Sequence, residues 1–295
     1  MGTGKFVEIT AENETLFEDV LKNKLPLTGQ LLNVWRLRRQ GKFTVENSVK
    51  FYIYLVTKEL GCVQDIFVLC VQEPNMHGLY SVIIHAPVSP THEMIKAFED
   101  FVEWDRNPLF PAAPGPFTDA FLKPICLKRG GIPPKEHACE AYALDGDRAM
   151  TGQREYEYHE KGDRIRLADL TLKNVNQVMA TELTRVWMHS KMKQQMELSI
   201  SNLATAGAFI NDDLAAFAML SPAGLMNNVW TEEPFRRRGL AAKVLQTLSH
   251  SAAEMGCTPM AECTVTNDTS RQLLKKLGFT FVQETNWVTF KKLGK

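Results

Sequence analysis

Residues 231–245 read Thr-Glu-Glu-Pro-Phe-Arg-Arg-Arg-Gly-Leu-Ala-Ala-Lys-Val-Leu, three arginines and three small residues placed just ahead of an apolar-periodic run. Arg236, Gly239 and Ala241 keep the spacing Arg-x-x-Gly-x-Ala, so a strand end, a tight basic turn and a helix start succeed one another. That order makes an anion cradle. The first amides of a helix lack internal acceptors, and the positive end of the helix dipole adds to them, which suits a pyrophosphate. Arg236, Arg237, Arg238, Gly239, Leu240, Ala241 and Ala242 are therefore the expected cradle. Taken alone, the arginine run also reads as a solvated basic turn or a nucleic-acid patch. The downstream sequence weighs against both, because Asn267-x-x-Ser270 opens a second short helix that closes on Gly278-Phe279. A Walker-type loop is excluded, since the chain has no Gly-x-x-x-x-Gly-Lys-Ser/Thr.

Carboxylates stand close to this cradle. Glu232 and Glu233 precede it, and Glu262 lies beside Cys263 in the next apolar segment. Each glutamate could take a proton from an attacking amine, a contribution of roughly 10²- to 10⁴-fold. Glu232 and Glu233 read equally as charges complementing Arg236 to Arg238, and Glu262 as an outward strand residue. Cys263 reads as core rather than as a nucleophile, because no histidine is near it in sequence.

The two motifs, in this order and spacing, resemble the acyl-CoA-binding half of the GNAT superfamily of N-acyltransferases. Asn176-Gln177-Val178, Trp187, the Phe235-Arg236 turn and Asn286-Trp287 are further similar to the glycine N-acyltransferase family. The resemblance covers most of the chain. It implies an α/β (α+β) fold of tandem GNAT-like domains with mixed sheets flanked by helices, the N-terminal domain degenerate and without a phosphate loop. It also implies acyl-CoA or coenzyme A as co-substrate, without a metal, and acyl transfer to glycine or another small amine by direct attack. Two other functions stay open: an acyl-CoA-binding protein that does not catalyse, and an N-acyltransferase for an arylalkylamine or a protein lysine. Asn267 and Ser270 join the cofactor residues by the same resemblance. So do Val229, Trp230 and Thr231, whose strand-end amides would meet pantetheine and the thioester carbonyl. Leu225 stands where the family places its glutamate base, and Leu274 where many members place a tyrosine acid. The base must then come from elsewhere, and Glu233, acting through a water, is the first candidate. Arg185, Lys191 and Lys193 are candidates for holding an acceptor carboxylate, while Trp187, Trp230 and Trp287 read as packing residues or as the wall of an acyl tunnel.

The elements that must position these groups are legible in part. A length of 295 residues suits two domains, and 44% hydrophobic with 23% charged residues is globular composition. Lysine plus arginine equals aspartate plus glutamate, 34 each, so no polyanionic partner is indicated for the chain as a whole. Six cysteines without a Cys-x-x-Cys pair point to a reducing compartment, and scattered histidines to no metal centre. No apolar run is long enough to span a bilayer, and the N-terminal residues lack a secretory core. An intracellular, cytoplasmic location is expected, with a mitochondrial one implied by the family resemblance.

Helical spacing of Leu16, Phe17, Val20 and Leu21 predicts a helix ended by Pro26; strands are expected near 49–57, 66–71 and 80–85, and a helix capped near Thr91. The prolines of 108–116 predict a loop, as does Pro133-Pro134. The polar stretch 145–163 predicts a boundary, giving domains 1–148 and 164–295 with a linker at 149–163. Beyond it the pattern predicts helices at 173–188 and 191–204. Strands are expected at 206–210, 214–220 and 225–231, then a strand–helix–strand unit ending in a hairpin of 279–284 and 286–291.

Overall fold

A computed structural model describes residues 4–43, 48–56, 65–73, 80–131, 135–181 and 193–293. Its strands are β1 Lys5–Glu8, β2 Ser48–Leu55, β3 Val68–Glu73, β4 Ser81–His85, β5 Leu109–Pro114, β6 Lys135–Ala143, β7 Tyr156–Glu160, β8 Asp163–Ala168, β9 Thr205–Ile210, β10 Asp213–Leu220, β11 Met226–Thr231, β12 Met260–Thr264 and β13 Thr280–Thr289. The helices that matter here are α1 Glu14–Lys22, α2 Gly29–Arg39, α3 His92–Phe101, α4 Lys123–Lys128, α5 Gly146–Ala149, α6 Val175–Ala180, α7 Lys193–Asn202, α8 Leu240–Glu254 and α9 Asp268–Leu277.

All thirteen strands join one mixed sheet in the order β1-β2-β3-β4-β5-β13-β6-β12-β11-β10-β9-β8-β7. Each half repeats one plan: an antiparallel run, a parallel pair joined by a crossover helix (β4-α3-β5 and β11-α8-β12), and a last strand. The last strands are exchanged. β13 lies between β5 and β6, and β6 lies between β12 and β13, so each half is completed by the other. The tandem arrangement and mixed sheet expected from sequence are thus present.

Alternation along the strands sorts the helices onto two faces. On one face α3 packs with Leu69, Val71, Phe110 and Val288, and α8 with Ala208, Ala218, Met226 and Ala261. On the other, α1 and α2 cover Phe51, Ile53, Val68 and Cys70, while α6 and α7 cover Phe209, Phe217 and Met219. Helix α2 also ties the halves together. Asn33, fully buried, donates to Gly224 O at 2.9 Å and Thr258 O at 2.7 Å and accepts from Thr258 N at 2.8 Å.

Three expectations need correction. Residues 108–116 are not a loop: 109–114 form β5, whose pairing with β4 is limited to Ser81↔Leu109. Pro111 and Pro114 are tolerated because that side of the strand asks for few N–H donors. Residues 279–291 are not a hairpin but the single strand β13, bulged after Phe281 against β6 and paired on both sides, while on the β5 side the bulge is in β5, where Pro111 and Ala112 oppose Trp287. Partners on both edges hold it extended where local turn signals suggested a reversal. Helix α2 has no counterpart among the sequence-based expectations, because its buried stripe mixes Gln30 and Asn33 with leucines and so blurs the period.

The polar stretch 145–163 carries α5 and β7, and β7 forms a hairpin with β8. The helix expected at 173–188 is seen as a short 3-10 turn and α6. Residues 182–192, with Arg185, Trp187 and Lys191, lie outside the described residues, as do Pro133 and Pro134.

Candidate functional site

Strands β11 and β12 run parallel but share one register pair, Met226↔Ala261. Beyond it they diverge, and residues 227–231 stay half-buried with no strand on that side. The divergence starts with a bulge: Asn228 adopts φ 54°, and two β11 residues oppose one on β10 between Phe217 and Met219. Glu232 N–H donates to Ala215 O on β10 at 2.9 Å. Strand alternation then turns the amide of Thr231 into the gap and that of Trp230 toward β10, while Val229 sits in the bulge. Of the three strand-end residues expected to meet pantetheine, Thr231 turns its amide to the open side and Trp230 does not.

At the top of the gap the chain turns through Glu233–Phe235 into α8. Arg237 and Gly239 both lie in the left-handed region, at φ 63° and 75°, which curls successive amides toward one side. Gly239 is the N-cap and has no side chain to cap with, so the first amides of α8 keep no side-chain acceptor. A Cβ added at Gly239 would meet nothing within 4 Å, so the space over the turn is open. Arg236 folds back, its Nε donating to Thr231 O at 3.1 Å and its guanidinium stacked 5.1 Å from the Trp230 ring. Arg238 is anchored to Asp163 at 2.9 Å, where Asn211 and then Arg238 hold the aspartate below its ordinary pKa. Arg237 is exposed, and Leu240 is buried beneath the turn. The residues fit a pyrophosphate.

The matching turn of the N-terminal half does not fit one. Residues 86–91, Ala-Pro-Val-Ser-Pro-Thr, contain no glycine, and the Thr91 hydroxyl accepts from Met94 N at 3.3 Å. The helix start is capped by its own chain. This half is the degenerate one.

On the opposite face of the gap stands Glu262, one residue past the Met226↔Ala261 pair. Its Oε2 accepts from Trp287 Nε1 at 2.7 Å, and its Oε1 from the Thr285 hydroxyl, both on β13. Ala141 on the intervening β6 is small enough to let these side chains reach across. Burial pushes the Glu262 carboxyl above the usual carboxylate range, and the two donors only partly offset it. Asn227 flanks the same opening from β11, and its Oδ1 is buried without a hydrogen-bond partner. The Trp230 Nε1 on the same face is likewise buried and unpartnered. Asn227, Thr285 and Trp287 as polar partners of a site were not found from sequence. Only the exchange of β13 brings the last two to Glu262, and Asn227 looks like an ordinary strand residue.

The remaining sequence-predicted residues are spread more widely. Glu233 is exposed and Glu232 half-buried. They stand at the open end of β11, six and seven residues past the split, roughly 20 Å along the strand at ~3.3 Å per residue. Asn267 caps α9, its Oδ1 accepting from Ser270 N at 3.1 Å, so both are engaged with each other. Leu225 and Leu274 are core residues, 2% and 4% exposed. Cys263 packs under α8 with its thiol pushed up to about 11 by burial, which leaves little thiolate at neutral pH. Lys193 is exposed on α7. Among the described residues no group of three His, Cys, Asp or Glu side chains is arranged to hold a metal, and no helix is long and apolar enough to cross a membrane.

Comparison with known proteins bears on the fold that holds these residues. The FR47-like protein family matches residues 208–288, the segment that holds the gap, the cradle and Glu262. No curated protein matches the chain. Among solved structures, a Drosophila protein superposes with a TM-score of 0.78 at 15% identity, covering 98% of this chain and 99% of its own. The tandem GNAT protein from the clavulanic acid biosynthesis pathway, solved without acetyl-CoA, gives 0.51 at 15% identity over 99% of both chains. A GCN5-related N-acetyltransferase from Sphaerobacter thermophilus gives 0.51 at 12% identity over 99% and 97%. From β1 to β13 the chain thus has the tandem GNAT fold, and its FR47-like segment includes the turn of residues 236–242.

Proposed function

We propose that the chain is an acyl-CoA-dependent N-acyltransferase, with the C-terminal half holding the co-substrate and Glu262 serving as the base. The observation that carries this reading is the gap between β11 and β12, with an amide-lined cradle at one end and, one residue past its floor, a half-buried carboxylate held by two donors and raised in pKa. The residues 236–242 turn would hold the pyrophosphate, and the Thr231 amide would hold the pantetheine. An amine entering from the face of α6 and α7 would meet Asn227 Oδ1 and Glu262, both acceptors. Its nitrogen attacks the carbonyl carbon, the C–N bond forms and the C–S bond breaks. The attacking amine is neutral, a cationic one having first lost a proton to solvent; one of its protons passes to Glu262, the thiolate leaves, and that same proton, returned from Glu262 directly or through water, makes free CoA.

Glu262 suits this role better than Glu232 or Glu233. Its two donors fix its orientation, and a raised pKa brings it nearer the operating pH of a general base. Glu233, the first candidate from sequence, is exposed at the far end of the strand. The site's acceptors favour a cationic or neutral amine, and a small amino acid such as glycine is the acceptor that the family resemblance suggests. Asn267 and Ser270 would border the cofactor through the start of α9.

The buried Leu225 and Leu274 give the non-catalytic alternative its support, since neither usual proton-transfer position can act. A matrix of amines against acyl-CoAs, read as free thiol released, separates the two. Amine-dependent release supports the transferase, whereas tight acyl-CoA binding with no release for any amine, lysine peptides and arylalkylamines included, leaves only a binding protein.

A further inference from the structure

Resting on that reading of the gap, we propose that Met260, backed by α2 of the N-terminal half, is the stop that limits the length of the acyl group. The cradle lies at the start of α8 on one face of the sheet, and Glu262 lies on the other. An acyl thioester that reaches from one to the other passes between β11 and β12. Their shared pair, Met226↔Ala261, turns its side chains toward α8 and closes the floor on that side. On the Glu262 face the floor is Met260, two residues before Glu262 on the same strand, together with Leu225.

Met260 and Leu225, each 2% exposed, form a small apolar cluster with Ala112 and Ala143, separate from the main cores, with Trp287 packed against it. Trp287 is the residue that also donates to Glu262, so the apolar stop and the base share one wall. What backs Met260 comes from the other half of the chain. A Cβ built on Gly29, the first residue of α2, would stand 2.5 Å from Met260 Sδ, and Leu25 Cδ2 would lie 3.6 Å from it. The thioether therefore has no room to retreat toward α2, and a glycine is needed there for it to sit where it does. The half without a phosphate cradle thereby sets the depth of the acyl site. Methionine is unbranched and adaptable, so its truncation enlarges the site without leaving a polar group unpaired.

Two substitutions move the stop in opposite directions. Met260→Ala shortens the side chain to Cβ and opens the floor. Gly29→Ala inserts a methyl that drives the thioether toward the gap, at an overpacking cost of roughly 1–3 kcal/mol, and a thermal melt of each variant checks that it is folded before titration. Free CoA and acetyl-, butyryl-, hexanoyl- and octanoyl-CoA are titrated into each protein by calorimetry, which needs no acceptor. Relative to acetyl-CoA, Met260→Ala is expected to gain about fourfold in affinity per added methylene accommodated, roughly fifteenfold for two. Gly29→Ala is expected to lose affinity for butyryl-CoA and longer chains, with free CoA bound as by the wild type. The same chain-length profile in all three proteins, with free CoA still bound, overturns the stop and leaves the site reading intact. Failure of the wild type to bind free CoA overturns the site reading, and the stop with it.

Discussion

Replacing Glu262 by glutamine tests the base with little disturbance of shape. Both carboxylate oxygens accept hydrogen bonds, one from Trp287 Nε1 and one from the Thr285 hydroxyl. A glutamine keeps its oxygen toward Trp287, which can only donate, and turns its amide nitrogen toward Thr285, whose hydroxyl can accept. No buried group is orphaned, so acyl-CoA affinity should stay within about twofold, as an intact cradle requires. Loss of the base should lower kcat/KM by roughly 10²- to 10⁴-fold, or about 2.7–5.4 kcal/mol at ~1.36 kcal/mol per factor of ten. In the wild type, activity should rise with pH through a carboxyl titrating above its ordinary range, because burial disfavours the charged form; the variant should lack that limb. Stability carries the opposite sign. A folded-state pKa raised above the unfolded value means that the protonated form adds stability, present in full below the unfolded carboxyl pKa and lost as pH rises through the folded one. The melting temperature of the wild type should therefore fall relative to that of Glu262→Gln as pH rises across this window. Thiol release with the best amine found, measured upward from about pH 4, near the unfolded carboxyl pKa, reads the catalytic half, and thermal melts over the same range read the other. A variant that keeps the wild-type kcat/KM at every pH would refute the assignment, and Glu232 and Glu233 would be tested next.

Gly239→Glu should weaken CoA binding by about fivefold, about 1 kcal/mol, from a negative charge at the helix start where the pyrophosphate would sit; calorimetry showing wild-type affinity would move the cradle elsewhere. The same titration of the wild type should return one CoA per chain, because Thr91 caps the corresponding helix of the N-terminal half, and two would contradict this. Asn33→Ala should cost roughly 3 kcal/mol at about 1 kcal/mol for each of three lost hydrogen bonds between the halves, seen as a lower urea midpoint; an unchanged midpoint would mean that α2 does not bind the halves together. The fragment 164–295 lacks β6, which separates β12 from β13, and is expected to aggregate or to lose the near-ultraviolet signature of packed Trp287. A monomeric fragment with native spectra would show that the C-terminal half folds without the exchanged strand.

Sequence by itself determined the parts of this protein whose physics is local. The turn from Arg236 to Ala242 is legible because a left-handed N-cap needs glycine at 239 and an apolar period begins at once after it. The Asn211-Asp212 turn between β9 and β10 and the Thr91 cap depend equally on neighbours in the chain. The candidate base was only half legible: Glu262 stood among three carboxylates, and nothing near it in sequence ranked it above Glu233. Tertiary structure decided that ranking, because the groups that bury and orient Glu262, Thr285 and Trp287, arrive on a strand from the chain's end, laid across β6 of the other half. It also decided that prolines 111 and 114 lie in a strand, that β13 does not turn back as a hairpin, and that Gly29 rests on Met260. Each of these depends on pairing and packing between residues far apart in the chain, which local propensity does not record, while the cradle depends on consecutive backbone amides, which it does.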